Sequence, residues 1–115
     1  MPLVHHELCF GCGQTNLFGL LLEVERTADD LVAGRCFIKQ DHQGPGPGTA
    51  HPGIVAAALV EAMSLAGGER RPLTLEVRFE EPVPVGSFLE LDASANDATA
   101  CLDGRPVASA RATWG

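Results

Sequence analysis

The chain has 115 residues, 15 acidic against 8 basic side chains for a net charge of −7, and 45% hydrophobic residues without a single Tyr. This length suits one domain, expected to span 1–115, whose thin core is filled by Leu, Val and Ala and would gain from packing against a second copy. The acidic balance without a basic patch excludes nucleic acid as the expected partner, and no apolar run is long enough to cross a membrane.

Residues 1–17 show no periodicity and read as an irregular lead-in. MPLVHHELCF lacks a basic stretch followed by a long apolar run, so no export signal is expected. The four cysteines then read as reduced thiols of a cytoplasmic protein. Cys9 and Cys12 form a C-x-x-C pair with His5 and His6 just ahead. Four such groups can serve as zinc ligands, but one C-x-x-C with local histidines matches closed structural sites poorly. No metal is expected there, and no redox chemistry either, since no thioredoxin-like helix follows. Gly19 to Arg26 alternates, with Leu20, Leu22 and Val24 on one face, and predicts a strand. Thr27 to Asp30 predicts a turn, and Leu31 to Ile38 the second strand of an antiparallel hairpin.

Lys39 to Ala50 is rich in Gly and Pro and predicts a loop. Pro52 to Leu65 predicts a helix, apolar on nearly every side and therefore buried, with Gly67 and Gly68 ending it. Leu73 to Phe79 has the cleanest alternation in the chain: Leu73, Leu75, Val77 and Phe79 face one way. Phe88 to Ala93 and Ala98 to Leu102 predict short strands. Asp103-Gly104 is a two-residue hairpin signal, and Arg105 to Trp114 the last strand. Ala108, Ala110 and Ala112 share one face of it, small enough for a helix to come close. Cys36 and Cys101 fall within strands and are expected to be buried apolar residues. Two strands, one helix and four strands predict an α+β fold in which a twisted antiparallel sheet of about six strands wraps the helix.

The chemistry concentrates where the loop meets that helix. Pro52 suits the first helical turn, and Gly53 leaves its amide approachable at a helix start that attracts anions and developing negative charge. His51 either fixes the loop, orients a carbonyl or acts as a base, and His42 is a weaker candidate for the same work. Glu61 is the one charge on the helix and must be paired, neutralised or solvated in a cleft. It reads either as general base or nucleophile, or as the ion-pair partner of Arg70, Arg71 or Arg78. Arg70, Arg71 and Arg105 suit phosphate, or form surface pairs.

Together these residues resemble the small hotdog-fold acyl-CoA thioesterases of the phenylacetate-pathway type, over nearly the whole chain. Cys9 to Gly13 (CFGCG), with Asn16 and Gly19-Leu20, resembles the CFxCGxxNPxGL opening of one branch. His42-Gln43-Gly44 followed by His51-Pro52-Gly53 resembles its HQGxPGxxHGG loop. Glu61-Ala62-Met63 resembles the end of its LLDEAMG helix, and Thr74 to Gly86 the strand that follows. The resemblance implies a homodimer or dimer of dimers that hydrolyses acyl-CoA at a subunit interface, with no metal and no cofactor beyond the coenzyme A of the substrate. It implies that the Gly53 amide polarises the thioester carbonyl and that a helix carboxylate from the partner, here Glu61, activates water, with His51 beside them. His42, Gln43, Gly44, Pro52, Val60 and Ser64 are the implied substrate-binding positions. The chain departs from the pattern at Pro52, in place of the first glycine of HGG, and at Val60, in place of the usual acid. A non-hydrolytic acyl-CoA-binding protein is therefore the alternative, and a hydroxyacyl-thioester dehydratase using a His and a Glu a lesser one.

Overall fold

In the computed structural model, which describes residues 1–67 and 71–115, the elements follow the predicted order. Strands β1 (Glu23–Ala28) and β2 (Leu31–Phe37) precede a short 3-10 turn at Gln40–His42 and helix α1 (Pro52–Gly67). Strands β3 (Pro72–Phe79), β4 (Phe88–Ala93), β5 (Asp97–Leu102) and β6 (Arg105–Trp114) follow. The six strands form one antiparallel sheet in the order β1-β2-β4-β5-β6-β3, with β1 and β3 at its edges. Asp103 and Gly104 both have positive φ, 50° and 79°, which turns β5 into β6 with the twist the strands require.

Helix α1 lies on the sheet with Val55, Ala58, Leu59, Ala62, Met63 and Ala66 buried. Ala108, Ala110 and Ala112 of β6 are buried beside it, and their small side chains allow the close approach. The helix runs two residues beyond Leu65, to Gly67. Gly68 and Arg70, singled out in the sequence, lie outside the described residues. Among the described residues no helix is long and apolar enough to cross a membrane.

Two expectations are corrected. The first strand begins at Glu23 rather than Gly19. Leu20, Leu22 and Val24 are all buried, as their spacing predicts, but the chain turns at Leu21 (φ 52°). The amides of Leu20 and Leu22 bond Phe10 O and Gly11 O at 2.7 and 2.9 Å, so the N-terminal segment takes the place of a neighbouring strand. The period of two reported burial, not ladder pairing. The second correction concerns the helix, which is not buried on every side. Gly53 is exposed and Ala56 and Val60 are only half-buried, because no described element of the chain covers that stripe.

Strand β3 is open in the same way. Leu73, Leu75 and Phe79 are 58%, 40% and 50% exposed, although their alternation is the most regular in the sequence. An apolar edge strand with free backbone groups is a template for another strand.

Leu59, fully buried between helix and sheet, sets the expected scale of core energetics. Leu59→Ala is expected to lower unfolding stability by about 2–5 kcal/mol in urea denaturation, with the m-value unchanged.

Candidate functional site at the start of the central helix

The loop before α1 is held by backbone bonds on both sides. Gly44 N–H donates to Thr49 O at 3.1 Å, Ala50 N–H to Val83 O at 2.8 Å, and Val85 N–H to Gly48 O at 3.0 Å. The Gln43 side chain accepts from the Gly48 amide at 2.7 Å and donates to Gln40 O. Gln43 and Gly44 therefore build the loop. His42 is buried, not exposed in a mobile loop: its Nδ1 accepts from the Lys39 amide at 3.3 Å, its carbonyl accepts from the His51 amide at 2.8 Å, and its Nε2 has no partner among the described residues.

This scaffold presents His51 at the helix start. Its ring caps the helix, Nδ1 accepting from the Gly53 amide at 2.8 Å. A ring that accepts at Nδ1 while neutral carries its proton on Nε2. The exposed His51 thus offers an Nε2–H donor to solvent, next to a first-turn amide held by a bond that a ligand oxygen can replace. Beside it lies an apolar cavity of about 450 Å³, lined by Thr49, Ala50, Pro52, Val55 and the 79–83 segment. Two carboxylates line this cavity, Glu80 and Glu81. Arg105 holds Glu81 at 2.6 Å, which also accounts for Arg105. Glu80 has no ion-pair partner among the described residues, and nothing in its sequence context singled it out beyond its place in the TLEVRFEEPVPVG stretch.

Glu61 is somewhere else. Residues 53, 56 and 60 form one stripe of α1 and 57, 61 and 64 the adjacent one, with Val60 and Glu61 about 100° apart. The second stripe lies under the N-terminal segment, where Glu61 Oε2 meets His5 Nδ1 at 2.8 Å and accepts from the Cys9 thiol at 3.3 Å. Its side chain is only 14% exposed. The partner is thus His5, not Arg71 or Arg78. Ser64 belongs to the same group, its Oγ 3.1 Å from His5 Nε2. Cys12 completes it: its sulfur accepts from the His5 amide at 3.1 Å and lies 3.4 Å from His5 Nδ1. Burial first, then the Glu61 carboxylate, pushes the Cys12 thiol far above its ordinary range. Cys36, in the core, is pushed up to about 12 by burial. Within one chain the structure therefore brings His51 and Gly53 together next to Pro52, which lines the cavity, leaves Val60 on the Gly53 stripe, and places Glu61 and Ser64 with His5 instead.

No family model and no curated protein matches the chain. Solved structures do. A thioesterase superfamily protein aligns with a TM-score of 0.82 and 21% identity over 93% of this chain, which spans 62% of that protein's length. A phenylacetic acid degradation-related protein from Ralstonia eutropha JMP134 aligns with a TM-score of 0.71 and 18% identity, covering 83% of this chain and 84% of that one. A mutant of the phenylacetic acid degradation protein PaaI from Thermus thermophilus gives 0.71 and 23%, covering 81% and 90%. The fold is the hotdog fold of the thioesterases. The long helix against six antiparallel strands is its frame, as the sequence predicts.

Burial, and then the Lys39 cation, lower the pKa of His42 below its ordinary 6.5. The unfolded chain then binds more protons than the folded one as pH falls through 6.5, so folding stability drops on acidification. His42→Gln is expected to flatten that loss between pH 7.5 and 5.5, measured as the difference in the pH dependence of urea midpoints between the two proteins.

Proposed function

We propose that the protein is an acyl-CoA thioesterase whose reacting carbonyl is received at the start of α1, in a crevice completed by a second copy of the chain. The observation that carries this reading is the junction of polar donors and apolar space: the His51 Nε2–H and the Gly53 amide flank Pro52, which lines the apolar cavity. An acyl chain fits the cavity, and the helix start stabilises the oxyanion that forms. His51 donates from Nε2, and the Gly53 amide donates once the carbonyl oxygen displaces Nδ1.

Water needs a base. Glu61 is held in the N-terminal cluster, so this role falls to Glu80, the carboxylate of the crevice without a cationic partner among the described residues. The water oxygen bonds to the carbonyl carbon as Glu80 takes its proton. The carbon–sulfur bond then breaks, and the coenzyme A thiolate leaves and is protonated. Coenzyme A enters as substrate, and the chemistry calls for no further cofactor.

The second copy is proposed to pair along β3, whose apolar residues and free edge would be covered by an antiparallel neighbour. This also explains why a strand with so regular a pattern is open in one chain. Light scattering is expected to give a mass of at least twice 12.1 kDa, and Leu75→Lys to lower it.

A second reading is favoured by Val60. An apolar residue, not an acid, shares the Gly53 stripe of the helix, which suits an acyl-CoA binder that does not hydrolyse. The two readings separate in one assay of acyl-CoAs of varied chain length with a thiol reagent. Turnover that falls about 100-fold or more in Glu80→Gln and in His51→Ala supports hydrolysis. Binding without turnover, with hydrolysis appearing in Val60→Asp, supports the binder. Failure to bind any acyl-CoA rejects both.

A further inference from the structure

We propose that His5, Cys9, Cys12 and Glu61 form a tetrahedral binding site for a divalent transition-metal ion, zinc by the chemistry of its donors, which fastens the N-terminal segment to helix α1. The proposal is independent of the thioesterase reading and runs against the expectation from sequence that the C-x-x-C pair binds no metal. The sequence placed two cysteines and a histidine close together. The fold adds the fourth donor from the middle of α1.

The geometry is that of a ligand set around a common centre. One donor atom from each residue lies within 4.8 Å of all the others. His5 Nδ1 is 2.8 Å from Glu61 Oε2, 3.4 Å from Cys12 Sγ and 3.7 Å from Cys9 Sγ, and Cys9 Sγ is 3.3 Å from Glu61 Oε2. Bonds of zinc to nitrogen, oxygen and sulfur place tetrahedral ligands roughly 3.3–3.8 Å apart. Three of these four edges already have that length. Of these four the His5–Glu61 hydrogen bond must open, by about half an ångström, and the remaining two edges lie within 4.8 Å. Two thiolates, an imidazole and a carboxylate suit zinc, whereas calcium and magnesium take oxygen ligands.

The surroundings are those of a prepared site. With His5 Nδ1 on the metal, Nε2–H faces the Ser64 hydroxyl 3.1 Å away, the kind of second contact that fixes a ligating imidazole. The His5 amide already donates to the Cys12 sulfur at 3.1 Å, a bond that favours the thiolate. The Gly13 amide closes the C-x-x-C turn onto Cys9 O at 2.9 Å. Gly11 and Gly13 leave no space for a side chain: a Cβ on Gly11 would run into Glu61, and one on Gly13 into the backbone of Glu7 and Cys9. Cys12 is fully buried, and His5, Cys9 and Glu61 are half-buried around it. Binding releases the thiol protons and turns a costly buried carboxylate into a ligand.

The site is tested on the full chain purified without chelator. Metal analysis is expected to give about one zinc per chain, and cobalt(II) exchange the sulfur-to-metal charge transfer of two thiolates with the visible bands of a tetrahedral ion. Cys9→Ser and Cys12→Ser are expected to lose the metal, Ser64→Ala to bind it about 10–100-fold more weakly, and His6→Ala to bind it as the parent does. Should the cysteine variants fail to fold, the cobalt spectrum of the parent and a fall in its melting temperature on adding chelator decide the question. The proposal is overturned if the reduced chain takes up neither zinc nor cobalt, if Cys9 and Cys12 are isolated as a metal-free disulfide, or if Cys9→Ser keeps full affinity.

Discussion

A carboxylate on a buried apolar helix has to be satisfied, and the way Glu61 is satisfied organises this molecule. Its partners are His5 and Cys9, from a segment with no helix or strand of its own. That segment is drawn over one stripe of α1 and stays there through backbone bonds to Leu20 and Leu22. Those two residues are thereby kept from the sheet, and β1 starts late. Leaving the carboxylate unpaired would cost more than the bonds that hold the segment in place contribute singly.

The same interaction divides the helix into a covered side and a partly open one. The 57, 61 and 64 stripe faces the N-terminal segment, whose His5 and Cys9 bond Glu61 and whose His5 meets Ser64. The 53, 56 and 60 stripe is left partly open, beside the apolar cavity and the capped amide of Gly53. The proposed receipt of a thioester carbonyl uses the open stripe. A rotation of about 100° between Val60 and Glu61 separates the residue on the open stripe from the acid that meets His5 and Cys9.

The loop around His42 and His51 supplies the rigidity that the open stripe needs. The backbone bonds to the 83–85 segment fix where the helix begins, and the His51 ring completes the cap. The open stripe and the open strand β3 together show that the single chain leaves apolar surface uncovered on the side of the cavity. A small core with few aromatics has little stability to spare for such exposure.

Periodicity and turn chemistry made most of the frame legible. The strands 88–93 and 105–114 fall where the alternation places them, the Asp103-Gly104 turn has the positive φ angles its residues suggest, and the alanines of β6 face the helix. These features are local, so the sequence carries them by itself. The helix start was legible for the same reason, since Pro52, Gly53 and His51 act within one turn. What the sequence could not settle is which distant groups meet. Glu61 was visible as a buried charge, but whether it faced a crevice, an arginine or the N-terminal cysteines depends on which stripe of the helix the chain covers. The sequence by itself determined the order and type of the elements, many of the buried positions and where the helix begins. Only the tertiary structure decided that Glu61 joins His5, Cys9 and Cys12 and that Glu80 lines the cavity, because contacts between residues far apart in the chain are set by packing and not by local periodicity.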